Sequence, residues 1–282
     1  MSDRLLAMDP GDSKEDIDGI ATTEPAFGLP ALWIRTSQKT RAEIAGYTVV
    51  EPATVIVTHI SEALRRHTFE LVGREELQQL LEIVARRSPK AVDELIPNVI
   101  SHAELLALVR AILKEGVSIR DMRTILEVIT EAAVQSKAIP WLVDRVRERL
   151  GAAIVQDMLD SKDVLHAAMF DAQSEETMRA SVVRTELDTT LALDLNNAQN
   201  LVLQLRRTLE THQRAGVEPV AVLPADLRYP VQQFAIRFCP GVNILSQREI
   251  PSRVEVNTDL SLSLFPTDGA SAPAEPIASQ AS

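Results

Sequence analysis

The sequence predicts an α+β protein of several subdomains: a partial α/β unit over 1–70, a helical bundle over 71–160, a small α/β unit over 161–260 and a disordered tail over 261–282. Three observations predict this class. The apolar pattern is mixed up to residue 70, helical to about 160, and then alternates strand with helix. Proline, glycine and capping boxes punctuate the middle third closely enough to imply short loops between helices. The 282 residues are 45% hydrophobic but only 4% aromatic, which suits more than one aliphatic, helix-rich core.

In the first unit, Leu5–Met8 is a short apolar run ending in Asp9-Pro10-Gly11, which is turn chemistry. A polar loop with Asp18 and Gly19 leads to the stiff segment Glu24-Pro25-Ala26-Phe27-Gly28-Leu29-Pro30. Ala31–Arg35 reads as a buried strand, Lys39–Ala45 as a short helix closed by Gly46 at its C′ position, and Tyr47–Val50 as a β-branched strand. Pro52 fits the first turn of a helix running to about Phe69.

The bundle opens with Arg74–Arg87, whose Leu77, Leu80, Leu81 and Val84 form one stripe. Ser88-Pro89 predicts a cap on a short helix ended by Pro97. Ser101 and Glu104 predict a capping box before the helix of Leu105, Leu106, Val109, Ile112 and Leu113, which Gly116 stops. Ser118 and Asp121 predict a second box before Met122, Ile125, Leu126 and Ile129, and Pro140 begins the last helix of the bundle, with Leu142, Val143, Val146 and Leu150. In the third unit, Val164–Phe170, Pro219–Leu223, Val242–Ser246 and Val254–Asn257 read as strands. Glu175–Arg184, Asp194–Ala215 and Ala225–Phe238 read as helices. From about Ser261 the composition turns to Ser, Ala, Pro and Gly, and no apolar period survives Phe265.

Charge and composition narrow the function. The 40 acidic against 29 basic residues leave a net charge of −11, a poor basis for gripping phosphate backbones. The single cysteine, Cys239, excludes an intramolecular disulfide and a cysteine-based zinc site. The longest uncharged stretch, Leu195–Leu205, is eleven residues; a bilayer span needs roughly 18, so no crossing is expected. Met1-Ser2-Asp3-Arg4 does not open a signal peptide. His59, His67, His102, His166 and His212 share no metal-ligand spacing and are expected in surface or capping roles. Asp9-Pro10-Gly11-Asp12 lacks the ligand ladder of a calcium loop, and neither a phosphate-binding glycine loop nor a nucleophile elbow occurs. No catalytic residue, metal or cofactor is therefore expected.

Two segments admit more than one reading. Gly116–Arg123 has the layout of a helix-turn-helix, with Arg120 and Arg123 at the start of the second helix; the alternative is a plain bundle corner, favoured by the net charge and by Glu127 and Glu131 on that helix. Phe27, between Pro25 and Pro30, is either core beneath a loop or an aromatic anchor held out to a partner with little ordering cost. An acidic group beside an exposed phenylalanine would suit an amphipathic helix with a basic edge.

A set of ordered segments resembles the export-gate family of type III secretion, the FHIPEP family. They are Leu5–Gly11, Glu24–Ile34, Gly46–Glu51, Val57–Ile60, Leu71–Glu76, Glu94–Pro97 and Glu115–Asp121. The match is dense from Arg4 to about Leu150 and thinner from 160 to 260, and its wording leans to the flagellar branch over the injectisome branch. The resemblance implies a cytosolic domain of small subdomains, ringed beneath a secretion channel at the cytoplasmic face of the bacterial inner membrane. It implies docking of export chaperone–substrate complexes, contact with other export-apparatus proteins and a part in switching the order of export. It also implies that a membrane domain and the first part of the first α/β subdomain are missing here, as in a truncated product. The family's docking cleft places its acidic residue on Glu24, its phenylalanine on Phe27 and its threonine on Thr58, with Val50 and Val55 as apolar walls. Glu24 departs from the family's usual aspartate, carrying the same charge one methylene further out. An unrecognised enzyme and a DNA-binding regulator are the rival readings from other classes.

Overall fold

The computed structural model describes residues 3–9, 15–26, 29–185 and 188–265, so the tail beyond 265 and Phe27 lie outside the described residues. The chain divides into two compact units, Met1–Leu150 and Gly151–Ser282. The segments read as 1–70 and 71–160 thus fall mostly in one unit.

Unit one begins with a four-stranded antiparallel sheet. Its strands are β1 (Arg4–Met8), β2 (Ile20–Thr23), β3 (Pro30–Arg35) and β4 (Thr48–Val50), in the order β2-β3-β1-β4. Leu6 pairs with Trp33 on one side and Val50 on the other. Helix α1 (Lys39–Ile44) covers one face and α2 (Pro52–Leu71) the other. Both faces being covered explains why Leu5–Met8 is an unbroken apolar run. Leu5 and Ala7 pack with Ala42 and Tyr47, while Leu6 packs with Ala31 and Val55. β2 was not legible in the sequence: Ile-Ala-Thr-Thr is short and its side chains are mostly exposed.

The bundle follows as α3 (Arg74–Arg87), α4 (Pro89–Asp93), α5 (His102–Lys114), α6 (Met122–Ala132) and α7 (Ile139–Gln156). The Ser101–Glu104 box is present: Glu104 N–H donates to Ser101 Oγ at 3.2 Å and Ser101 N–H to Glu104 Oε2 at 2.7 Å. The bond from the Ser101 N–H, and after it the Ser101 hydroxyl, hold the Glu104 carboxyl below its ordinary pKa. Two caps differ from expectation. Ser88 stands at the N-cap of α4 but makes no side-chain cap bond. The second box is not formed, because the cap of α6 is Asp121 alone, accepting from Thr124 N–H at 3.2 Å and Thr124 Oγ1 at 2.7 Å. Gly116 takes φ +74°, the left-handed region glycine tolerates, and ends α5. A buried ion pair, Arg147 Nη1 to Glu115 Oε2 at 3.2 Å, ties α7 to that turn.

Unit two is a parallel sheet of β10 (Glu255–Leu262), β5 (Val164–Phe170), β8 (Val220–Leu223) and β9 (Asn243–Ser246), in that order. α8 (Ala172–Ala180), α9 (Leu195–Ala215) and α10 (Ala225–Phe238) contribute to the core on one face. Val155, on α7, packs on the other. Side chains alternate between the faces: Ala221 and Leu223 join the first core, Val220 and Val222 the second. The helix read over Glu175–Arg184 is corrected. It ends at Ala180, where Ser181 Oγ donates to the Thr177 carbonyl, and Val182–Arg184 forms β6, a two-stranded ribbon with β7 (Thr189–Leu191). β-branched Val182 and Val183 favour the extended form. The tail boundary also moves: β10 runs to Leu262, and Leu262 and Leu264 are buried. No described helix is long and apolar enough to cross a membrane.

Candidate functional site

Of the predicted site residues, Glu24 lies in the β2–β3 loop, Thr58 and Val55 on α2 and Val50 on β4. Glu24 follows β2 directly and is buried, only 3% exposed. Its Oε1 accepts the Ala26 N–H at 2.9 Å, and its own N–H donates to the Leu29 carbonyl at 2.8 Å. Here expectation and structure part. The Glu24 carboxylate was expected as a charge beside the docking surface; it is instead folded inward to satisfy the turn.

Helix α2 holds the loop from the other side. Arg66 Nη2 donates to the Ala26 carbonyl at 2.8 Å, and Arg66 Nε pairs with Glu62 Oε1 at 3.0 Å. Thr58, Glu62 and Arg66 are spaced four apart and form one row along α2. Thr58 is half-buried in that row, roughly 12 Å along the axis from Arg66. At the start of α2, Val55 is 7% exposed and packs with Leu6 and Ala31, while Val50 is half-buried with Trp33 against the same cluster. The structure therefore brings Val50 and Val55 together in one apolar floor. It sets Thr58 on the helix above and fixes the base of the Glu24 loop beside that helix. Phe27, the residue the loop would present, is outside the described residues. Sequence reading missed Arg66 and Glu62, the clamp; their only signal was an acid–base pair at i, i+4.

The rival constellations resolve. α6 buries Met122, Ile125, Leu126, Val128, Ile129 and Ala132, and Arg123 pairs with Glu127 at 3.4 Å, so Gly116–Arg123 is a bundle corner. Among the described residues no group of three or more His, Cys, Asp or Glu side chains could hold a metal ion. Two histidines depart from the surface or capping roles expected. His212 is 1% exposed, its Nδ1 accepting the Val220 N–H at 3.3 Å, and desolvation pushes its pKa down. His166 lies between Asp259 (2.6 Å to Nδ1) and Asp160 (3.2 Å to Nε2). Hydrogen bonds to Asp259 first and Asp160 second push its pKa up.

An antiparallel sheet, a helical bundle and a parallel α/β layer on one chain, with a loop clamped to a sheet-packed helix, define a multi-subdomain α+β protein. The chain belongs to the FHIPEP family, whose profile matches residues 1–255. It is 37% identical over 247 residues to the flagellar biosynthesis protein FlhA of Escherichia coli K12, covering 88% of this chain and 35% of that protein. It thus spans about a third of the length of this curated relative. Among solved structures it resembles CdsV in the Chlamydia pneumoniae CdsV–CdsO complex, with TM-score 0.77 and 25% identity over 92% of this chain and 74% of the other. It also resembles nonameric SctV-C from EPEC, with TM-score 0.73 and 19% identity over 93% and 78%, a likeness of fold.

Proposed function

We propose that this chain is the docking part of a type III protein-export gate of the flagellar kind. It receives export chaperone–substrate complexes at the β2–β3 loop and α2, and contributes to switching the order of export. The observation that carries this reading is the family match together with the Arg66–Ala26 clamp, which ties Ala26 to the helix that bears Thr58. Glu24 acts by shaping the loop, Phe27 as the aromatic anchor, Thr58 as a polar contact, and Val50 and Val55 as the floor. Burying a phenylalanine under a partner contributes about 1.5–3 kcal/mol, a hot-spot magnitude. The mechanism is binding without chemistry, at the cytoplasmic face of the inner membrane, within a homo-oligomeric ring that also meets other export-apparatus proteins.

The flagellar branch is favoured by the 37% identity over 247 residues to the E. coli flagellar protein. The test is capture of a purified flagellar export chaperone loaded with its substrate. Phe27→Ala should reduce capture at least about tenfold, the scale of a 1.4 kcal/mol loss, while leaving the circular dichroism spectrum unchanged. Equal capture by the parent and the variant would remove the site assignment.

A further inference from the structure

Unit one carries a concavity on a different side of α2 from the Thr58–Arg66 row. It is a groove of about 810 Å³ between α2, α3 and the turn from α5 into α6. Its floor is apolar, made by Leu64, Leu80, Ile83, Val84 and Val117. Leu64 is 52% and Ile83 59% exposed, large aliphatic side chains left open to water. Arg65, Arg87, Arg120 and Arg123 also line the groove. The only carboxylate in the lining is Asp121, and it is engaged as the α6 cap with Thr124. Arg123 pairs with Glu127, whereas Arg65, Arg87 and Arg120 have no ion-pair or side-chain hydrogen-bond partner among the described residues. In a chain of net charge −11, four arginines against one committed aspartate make a local inversion of sign.

We infer that this groove is a docking site for an acidic amphipathic helix of a partner protein. The apolar floor takes the helix's leucine-type stripe at i, i+3, i+4 and i+7, and the arginines meet carboxylates flanking that stripe. Arginine suits this use, because its planar fork pairs with carboxylates bidentately and is less strongly hydrated than an ammonium. Charge complementarity decides the occupant. A basic helix meets four like charges. A nucleic acid would find guanidiniums but no aromatic side chain in the lining on which to stack a base, and a floor of aliphatic groups where phosphates would lie. A bilayer surface cannot follow a concave floor. The Arg120 and Arg123 that lent Gly116–Arg123 its helix-turn-helix look thus acquire a role toward protein carboxylates.

The test uses fluorescence anisotropy with a labelled helical peptide of leucines at that spacing and glutamates elsewhere. A counterpart with lysines for the glutamates is the comparison probe. The acidic peptide should bind at least about tenfold tighter than the lysine peptide at low salt, with the preference shrinking as salt rises. R87E/R120E should abolish the preference; both arginines are exposed, and an unchanged thermal melt verifies the fold. R87K/R120K should keep most of it. Equal binding of the two peptides, a preference that survives R87E/R120E, tighter binding of a DNA duplex, or a dimer of this chain broken by R87E/R120E would each overturn the inference. Loss of chaperone capture in Phe27→Ala bears on the other site and leaves this one untouched.

Discussion

Gly151 shows how much one missing methyl decides. It sits within α7, where a Cβ would lie 2.1 Å from the Glu249 carbonyl oxygen and 2.9 Å from its carbonyl carbon. Neither contact is the movable end of a side chain. The Glu249 backbone is itself pinned, because the Glu249 carboxylate accepts both the N–H and the Oγ–H of Ser246 at 2.9 Å. Gly151→Ala must therefore push α7 off this turn, with an expected loss of about 1–3 kcal/mol. Urea unfolding followed by circular dichroism should show the lower midpoint; an unchanged midpoint would mean the helix shifts without cost. Nothing in the sequence around Gly151 signals this contact, since a helical glycine reads only as a weak point. Glu24 was marked as a special acid only by the family resemblance, which places an acidic residue there but does not show that its carboxylate turns inward.

At the scale of elements, β10 is held to β5 by a charge cluster as well as by its ladder. His166 on β5 bonds Asp259 on β10 and Asp160 in the approach to β5. Folding raises its proton affinity. The bridge therefore contributes fully below the unfolded pKa of about 6.5 and is lost as pH rises through the higher folded value. His212 works in the other sense: held neutral by burial, it costs stability as pH falls below the same unfolded value. An NMR titration should place the His166 midpoint above 6.5, and Asp259→Asn should lower it. A midpoint at or below 6.5 in the parent would contradict the bridge. Elements with strong periodicity or capping chemistry were legible, as with α3, α5 and α10, because those signals are local. β2 and the β6–β7 ribbon were not, because short strands are defined by their partners.

For the whole molecule, both units bury a core on each face of their sheet, and what sets unit one apart is the apolar surface that its covering helix α2 leaves open. Both faces of the parallel sheet in unit two have buried cores. In unit one, α2 packs one side onto the antiparallel sheet, yet Ile56, Val57, Ile60, Leu64 and Leu71 are 51–64% exposed. The α3–α7 bundle, by contrast, buries Leu105, Val109, Ile125, Ile129, Val143 and Val146 completely. Residues 3–71 should accordingly exchange their amide hydrogens faster than residues 72–150, since protection follows buried apolar contact. Equal protection across the two segments would show that the first is as firmly folded as the second.

The sequence alone determined the class, the order of most elements, the cap at Ser101, and the family resemblance, because periodicity, capping and motif order are written in neighbouring residues. Tertiary structure alone decided where the charges went: Glu24 into its own turn, Arg66 onto the loop, Glu115 to Arg147, and Arg65, Arg87 and Arg120 around one groove. The physical reason is that a charge acts over a few ångströms of space, and only the folded chain sets which residues share them.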